Sequence, residues 1–214
     1  MQYATFDLER SLWVEHEWVV ACDEVGRGAW GGPLVIATCA VQASHARSAP
    51  LLADSKLLSV RARNELAPAV LDWAPVTLGE VSAAEIDEIG MAKALRLASS
   101  RALDALELVG ITPTVLIQDG SASWIPDSVH ASVRRIIQPK LDMTSATCAA
   151  ASVVAKVHRD AWMCEHGAAY PNWPALVQSS GYGTKAHAAQ IREHGVCDMH
   201  RKSWSFVAKL TAAS

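Results

Sequence analysis

Short apolar runs that end in turn residues alternate along this chain with stretches of helical spacing, the pattern of an α/β domain. Trp18 to Cys22 is predicted as a buried strand and Pro33 to Val41 as a second, joined into a hairpin by a glycine-rich turn. Further strands are predicted over Val76–Val81, Thr114–Asp119 and Val133–Ile137. Ser59 is placed to cap a helix over Val60–Val70, with Pro68 awkwardly late in it. Ser82 with Glu85 forms a capping-box pattern for the longest helix, which runs to Leu108, with Gly90 as a candidate break and Gly110 as the stop. A small-residue helix is predicted from about Ser145 to His166, and a last one from Thr184 through Glu193. Residues 1–16 look like an arm or short helix without chemistry. Tyr170–Pro174 looks like a rigid loop. No repeat or linker divides the chain, so one domain is expected over residues 1–214.

Composition narrows the class. Of 214 residues, 50% are hydrophobic and 19% charged, as in ordinary globular chains. No apolar stretch approaches a membrane span. Acidic residues near the N-terminus (Asp7, Glu9, Glu15, Glu17) argue against a secretory signal. Five cysteines without a C-x-x-C fit reduced thiols, so a cytoplasmic chain without a zinc site is expected. The net charge of −3 does not advertise a nucleic-acid binder. The C-terminal end is locally basic, however. From Gly181 onward, Lys185, Arg192, Arg201, Lys202 and Lys209 face only Glu193 and Asp198. A solvated surface and a phosphate-contacting one are equally consistent with that balance.

The chemistry concentrates where strands end. Asp23 and Glu24 close the first strand, and Asp119 closes the fourth, before Gly120. A single such aspartate is usually a turn residue, but neighbouring strand ends bring carboxylates together, and ligands of open α/β sheets bind beyond the strand ends. Asp142 precedes the small-residue helix, where spacing alone favours a cap. With Asp142 included, the four acids form an oxygen-only set suited to Mg²⁺ or Mn²⁺. Two such ions about 3.5–4 Å apart would activate a water and stabilise a leaving oxygen of a phosphodiester. The spacing Gly26-x-Gly28-x-x-Gly31 matches a dinucleotide fingerprint, but a predicted strand follows it instead of the required helix. G-x-S-x-G, H-E-x-x-H and Walker A patterns are absent.

These motifs, in order, resemble the type 2 ribonuclease H family, most closely its bacterial ribonuclease HII branch. Asp23-Glu24-Val25-Gly26-Arg27-Gly28 with Gly32-Pro33-Leu34-Val35 is similar to D-E-x-G-R-G…G-P-V-V. Asp54-Ser55-Lys56-Leu57-Leu58-Ser59 is similar to D-S-K-x-L-S, and Asp119-Gly120 to the family's D-G. Lys140-Leu141-Asp142 with the run Ala149–Val157 and Arg159-Asp160 is similar to K-G-D…A-A-A-S-I-x-A-K-V-x-R-D. Gly181-Tyr182-Gly183-Thr184 and His200-Arg201-Lys202-Ser203 are similar to G-Y-G-T and H-R-x-S. The match spans about residues 18–206.

The resemblance implies a ribonuclease H-like fold, a central mixed β-sheet flanked by helices. It implies a core over about 18–165 and a helical, substrate-contacting part over about 166–214. It implies an endonuclease acting on RNA–DNA hybrids and 5′ of single ribonucleotides in duplex DNA, leaving 3′-hydroxyl and 5′-phosphate ends. Asp23, Glu24, Asp119 and Asp142 become catalytic and metal-binding, with two Mg²⁺ or Mn²⁺ ions in the substrate complex. Gly26, Arg27 and Gly28 read the 2′-hydroxyl that separates RNA from DNA, and Tyr182 stacks on the next sugar. Lys56, Lys156, Thr184, His200 and Arg201 become phosphate or supporting contacts. The chain departs from the family at Val25, Gly90, Leu141 (a glycine in relatives) and Ser180 (often lysine). The changes at Leu141 and Ser180 motivate an alternative, a hybrid-binding relative with weak catalysis. A monomer is expected, without a sliding-clamp-binding tail or an extra N-terminal domain.

Overall fold

The structure, a computed structural model, describes residues 3–126 and 132–212. A five-stranded mixed sheet forms its centre, in the order β3-β2-β1-β4-β5. Strand β1 (Val19–Val25) pairs antiparallel with β2 (Leu34–Val41), which pairs antiparallel with β3 (Val76–Val81). On the other side β1 runs parallel to β4 (Val115–Asp119), and β4 parallel to β5 (Arg134–Gln138).

Alternation along β1 divides the core in two. Val19 and Ala21 pack under α5 (Ala146–Gly167) and α2 (Val60–Trp73). Val20 and Cys22 pack under α4 (Met91–Leu108). Small side chains let both helices approach closely. Ala149, Ala150, Ala151 and Ala155 of α5 are fully buried. On β3, a Cβ at Gly79 would lie 2.6 Å from the Ala102 backbone nitrogen of α4.

Several local expectations hold. Ser59 accepts from Ala62 N at the start of α2, and Ser82 with Glu85 forms the capping box of α3 (Ala83–Ile89). Thr184 caps α7 (Lys185–His194) through His187 N at 3.1 Å. Gly90, at φ 78°, divides the predicted long helix into α3 and α4. Other expectations are corrected. The first strand continues to Val25, so Asp23 and Glu24 lie within it. Helix α2 runs three residues past the predicted end at Val70, to Trp73, with Pro68 inside it on the solvent face, where its missing N–H costs least. The fifth strand is shifted by one residue. Short helices α6 (Pro174–Gln178) and α8 (Ser205–Ala212) were not anticipated.

The N-terminal arm has work that its sequence did not suggest. It contains α1 (Asp7–Leu12), whose Glu9 is fully buried. Glu9 accepts from the Ser145 hydroxyl at 2.5 Å and from Thr147 N at 3.0 Å, at the start of α5. Thr5 N donates to Thr144 O, and Ala146 N to Thr5 O. The arm thus braces the segment that carries Asp142. Among the described residues, no helix is long and apolar enough to cross a membrane.

Candidate active site

Parallel pairing of β1 with β4 places Cys22 opposite Gln118 and stops there. Beyond that pair the strands part, and the next residues, Asp23 and Asp119, flank the opening. Asp23 faces α5, where the nearby Ser152 hydroxyl favours its charged form. Glu24 projects to the other side of the strand, 3.9 Å from the Arg27 guanidinium. Asp119 Oδ1 accepts from Leu141 N at 2.7 Å. That bond fixes a single 3₁₀ turn, Leu141–Met143, in which Asp142 is buried. Asp142 is therefore not the cap of α5; Ser145 is, accepting from Cys148 N at 3.1 Å.

The Leu141 departure has a physical explanation. The left-handed position in this turn is Lys140, at φ 67°. Leu141 needs no glycine conformation, and its side chain joins the core beneath α5.

Electrostatics mark these acids as one group. Burial, then Glu24, pushes the Asp23 carboxyl up to about 8, with Asp142 and Asp119 adding in the same direction and the nearby Ser152 hydroxyl opposing. Burial raises Glu24 and Asp142 as well, each partly offset by a nearby cation, Arg27 and Lys56 respectively. Lys56 Nζ lies 3.3 Å from Asp142 Oδ2. Burial alone would lower that ammonium, but Asp142, Asp54 and Asp23 outweigh it and raise it. Its loop is fixed by Arg63, which donates to Ser55 O and Leu58 O, and by the Ser55–Ser152 hydroxyl pair at 2.9 Å.

Among the described residues, no three His, Cys, Asp or Glu side chains are gathered tightly enough to hold a metal ion as they stand. The donor chemistry nevertheless fits a hard divalent cation. The set is all oxygen, its negative charges repel one another in a poorly solvated place, and a lysine ammonium already sits against one of them.

A cavity of about 430 Å³ opens at this point. It is lined by Asp23, Glu24, Gly26, Arg27, Gly28, Lys56, Lys156 and Tyr182, with Ser55 and Ser152. Most of the predicted site residues therefore meet. Lys156 pairs with Asp160 at 2.7 Å on the cavity wall. Thr184 is exposed, with its hydroxyl committed to the α7 cap.

His200 and Arg201 do not line the cavity; of the phosphate or supporting roles expected for them, their burial rules out the phosphate contact and leaves the supporting one. Arg201 is fully buried and donates to Gly32 O and Arg27 O. His200, 1% exposed, bonds His187 and Cys197. The sequence reading also missed a residue of the same kind. Arg159, fully buried, donates to Pro33 O at 2.8 Å, Ser180 O at 2.7 Å and Gly31 O at 2.9 Å. It also sits over the Tyr182 ring, 5.6 Å from the centroid. Arg159 thereby clamps the glycine turn of β1–β2 to Ser180, beside the Gly181–Gly183 loop, and Arg201 ties the Arg27 and Gly32 ends of that turn together. A signal for Arg159 existed in the chain: Ser152, Lys156, Arg159 and Met163 share one stripe of α5.

Comparison with known proteins gives the family. The family model for ribonuclease HII matches residues 20–207. Ribonuclease HII of Streptomyces griseus is 41% identical over 195 residues, covering 90% of this chain and 79% of that protein. Ribonuclease HII of Thermus thermophilus is 38% identical, covering 94% and 93%. Among solved structures, the ribonuclease H2 of Pyrococcus horikoshii OT3 superposes with a TM-score of 0.71 at 23% identity, over 92% of this chain and 98% of that one. Bst-RNase HIII in complex with Mn²⁺ gives 0.67 at 20% identity, over 92% and 70%. At these identities the structural likeness establishes the ribonuclease H-like fold. By the family match and by its relatives, the chain belongs to the ribonuclease HII family, divalent-metal-dependent endonucleases that cut the RNA strand of RNA–DNA hybrids.

Proposed function

We propose that this enzyme also nicks duplex DNA on the 5′ side of a single embedded ribonucleotide, leaving 3′-hydroxyl and 5′-phosphate ends. The observation that supports this reading is the composition of one cavity: the acids Asp23 and Glu24, the Gly26–Gly28 backbone and the Tyr182 ring line it together. A reader of one 2′-hydroxyl has to stand within one nucleotide of the hydrolytic centre.

Asp23, Glu24, Asp119 and Asp142 would hold two divalent ions. Such ions, when bound, supply Lewis-acid charge at the phosphate and lower the pKa of a water. The chain's own residues do the rest. Gly26, at φ 87°, turns the backbone so that the Gly26–Gly28 segment can approach a sugar closely. Arg27, more than half exposed, and Lys56 present cations to phosphates on either side of the acids. Tyr182, 36% exposed, offers its ring to the sugar of the next nucleotide.

The test is cleavage of a labelled duplex carrying one ribonucleotide, with Mg²⁺, with Mn²⁺ and with EDTA. A single cut 5′ to the ribonucleotide that disappears in EDTA is expected. Cleavage of continuous hybrids with no cut in this duplex would overturn the junction reading. Binding without metal-dependent turnover on either substrate would favour the weakly catalytic alternative.

A further inference from the structure

Tyr182 is the one exposed side chain of its loop that lines the active cavity, yet its backbone is held from within. Tyr182 O accepts from Ser179 Oγ at 2.8 Å and lies 3.0 Å from His187 Nδ1. His187 Nε2 lies 3.1 Å from His200 Nε2. Cys197 N donates to His200 Nδ1 at 2.9 Å, and Cys197 Sγ is 3.1 Å from the same nitrogen. A backbone N–H only donates, so His200 Nδ1 is a bare acceptor. The remaining proton of neutral His200 is then on Nε2, which donates to His187 Nε2. The proton of His187 is on Nδ1, which donates to Tyr182 O. One tautomer of each ring satisfies every bond.

We propose that His187 and His200 are positioning residues for substrate recognition. Through this directed chain, from Cys197 N–H across two imidazoles to the Tyr182 carbonyl, they hold the Tyr182 ring at the mouth of the cavity. The inference rests on the reading that Tyr182 contacts the sugar beside the ribonucleotide.

The surroundings support it. Both rings are buried, which lowers the tendency of each to protonate and keeps the chain neutral. His187 packs against Trp30, 5.5 Å between centroids, and a Cβ at Gly183 would run into the Trp30 ring. Trp30 N in turn donates to Gly181 O at 2.7 Å. The loop is therefore fixed on both sides of Tyr182 by groups that never reach the cavity themselves. Neither histidine lines the cavity, so neither is a catalytic residue. A misplacement of about 1 Å in a substrate-contacting group is enough to cost up to about a hundredfold in rate.

The test is a double-mutant cycle, read as single-turnover cleavage of the duplex with one ribonucleotide. His187→Leu removes the donor, whereas His187→Asn keeps an N–H where Nδ1 stood. The expected result is roughly a tenfold loss for His187→Leu, with His187→Asn within about threefold of wild type. In a Tyr182→Ala background, His187→Leu should cost less than about twofold more. A role in folding alone predicts the reverse order at a buried site, with Leu tolerated better than Asn, and equal losses in both backgrounds. Either result would overturn the proposal. Should His187→Leu fail to fold, His200→Leu against His200→Gln, which retains a donor, runs the same cycle with the same expectations. If Tyr182→Ala cleaves like wild type, the reading of Tyr182 itself fails, and the proposal with it. If Tyr182→Ala loses activity but the histidine effects are additive, only the positioning role fails.

Discussion

Asp119 Oδ1 accepts the Leu141 backbone N–H at 2.7 Å, so the carboxylate that ends β4 also fixes the turn that delivers Asp142. One hydrogen bond, between residues 22 positions apart, thereby places both acids. Asp119→Asn keeps an acceptor oxygen for Leu141 and loses the charge. It is expected to melt within a few degrees of wild type by circular dichroism, yet to lose more than about a hundredfold in cleavage, beyond what a supporting residue of a metal site is worth. Asp119→Ala removes the tie as well and should lower the melting temperature further.

The metal-free protein should lose stability as pH rises. The folded-state carboxyl of Asp23 is raised to about 8, so folding favours its protonated form. Its contribution is complete below the ordinary carboxylate range and is lost as pH climbs from about 4 through about 8. Glu24 and Asp142 are raised too and act with the same sign. In EDTA, melting temperature should therefore fall across this window, and Asp23→Asn should flatten that fall. Added Mg²⁺ should raise the melting temperature more at pH 8 than at pH 6, since binding needs the deprotonated acids. An equal increment at both values would contradict the assignment.

Much of this was legible in the chain, for reasons that particular residues make plain. The strands and capped helices follow from local pattern, and Ser59, Ser82 and Thr184 cap where their spacing predicts. The acids at Asp23, Glu24 and Asp119 stood out because carboxylates at the ends of apolar strands need a reason. The partners of Arg159, His200, Arg201 and Glu9 were not legible because their contacts are long-range. A buried guanidinium that satisfies Pro33, Gly31 and Ser180 carbonyls looks, in sequence, like a solvated charge on a helix. Asp142 resembled a cap for a similar reason, as only the bond from Leu141 to Asp119 reveals the turn that redirects it.

The turn before Asp142 offers a backbone test. Lys140 holds φ 67°, a conformation that costs a non-glycine residue roughly 1 kcal/mol. Lys140→Gly should therefore be neutral or slightly stabilising and keep cleavage. Leu141→Gly, by contrast, should destabilise by about 2–4 kcal/mol, because it empties a core position that is 3% exposed. Urea unfolding of the two variants distinguishes these outcomes; equal effects would mean that the turn is not built as described.

The paired arginines make a different prediction. Arg159→Met leaves the carbonyls of Pro33, Gly31 and Ser180 without donors, at about 1–3 kcal/mol for each that stays unpaired. Arg159→Lys should recover little, since one ammonium cannot reproduce three donors in a fixed fork. Denaturant midpoints that match wild type for either variant would contradict the clamp.

The central claim is that Asp23, Glu24, Asp119 and Asp142 act as one metal-holding set. Its most direct test is Mn²⁺ binding, followed by electron paramagnetic resonance, to the complex with the already nicked ribonucleotide duplex. Wild type is expected to take up two ions, and each of Asp23→Asn, Glu24→Gln, Asp119→Asn and Asp142→Asn to bind fewer, or more than about tenfold more weakly. Wild-type stoichiometry and affinity in Asp142→Asn would contradict the claim.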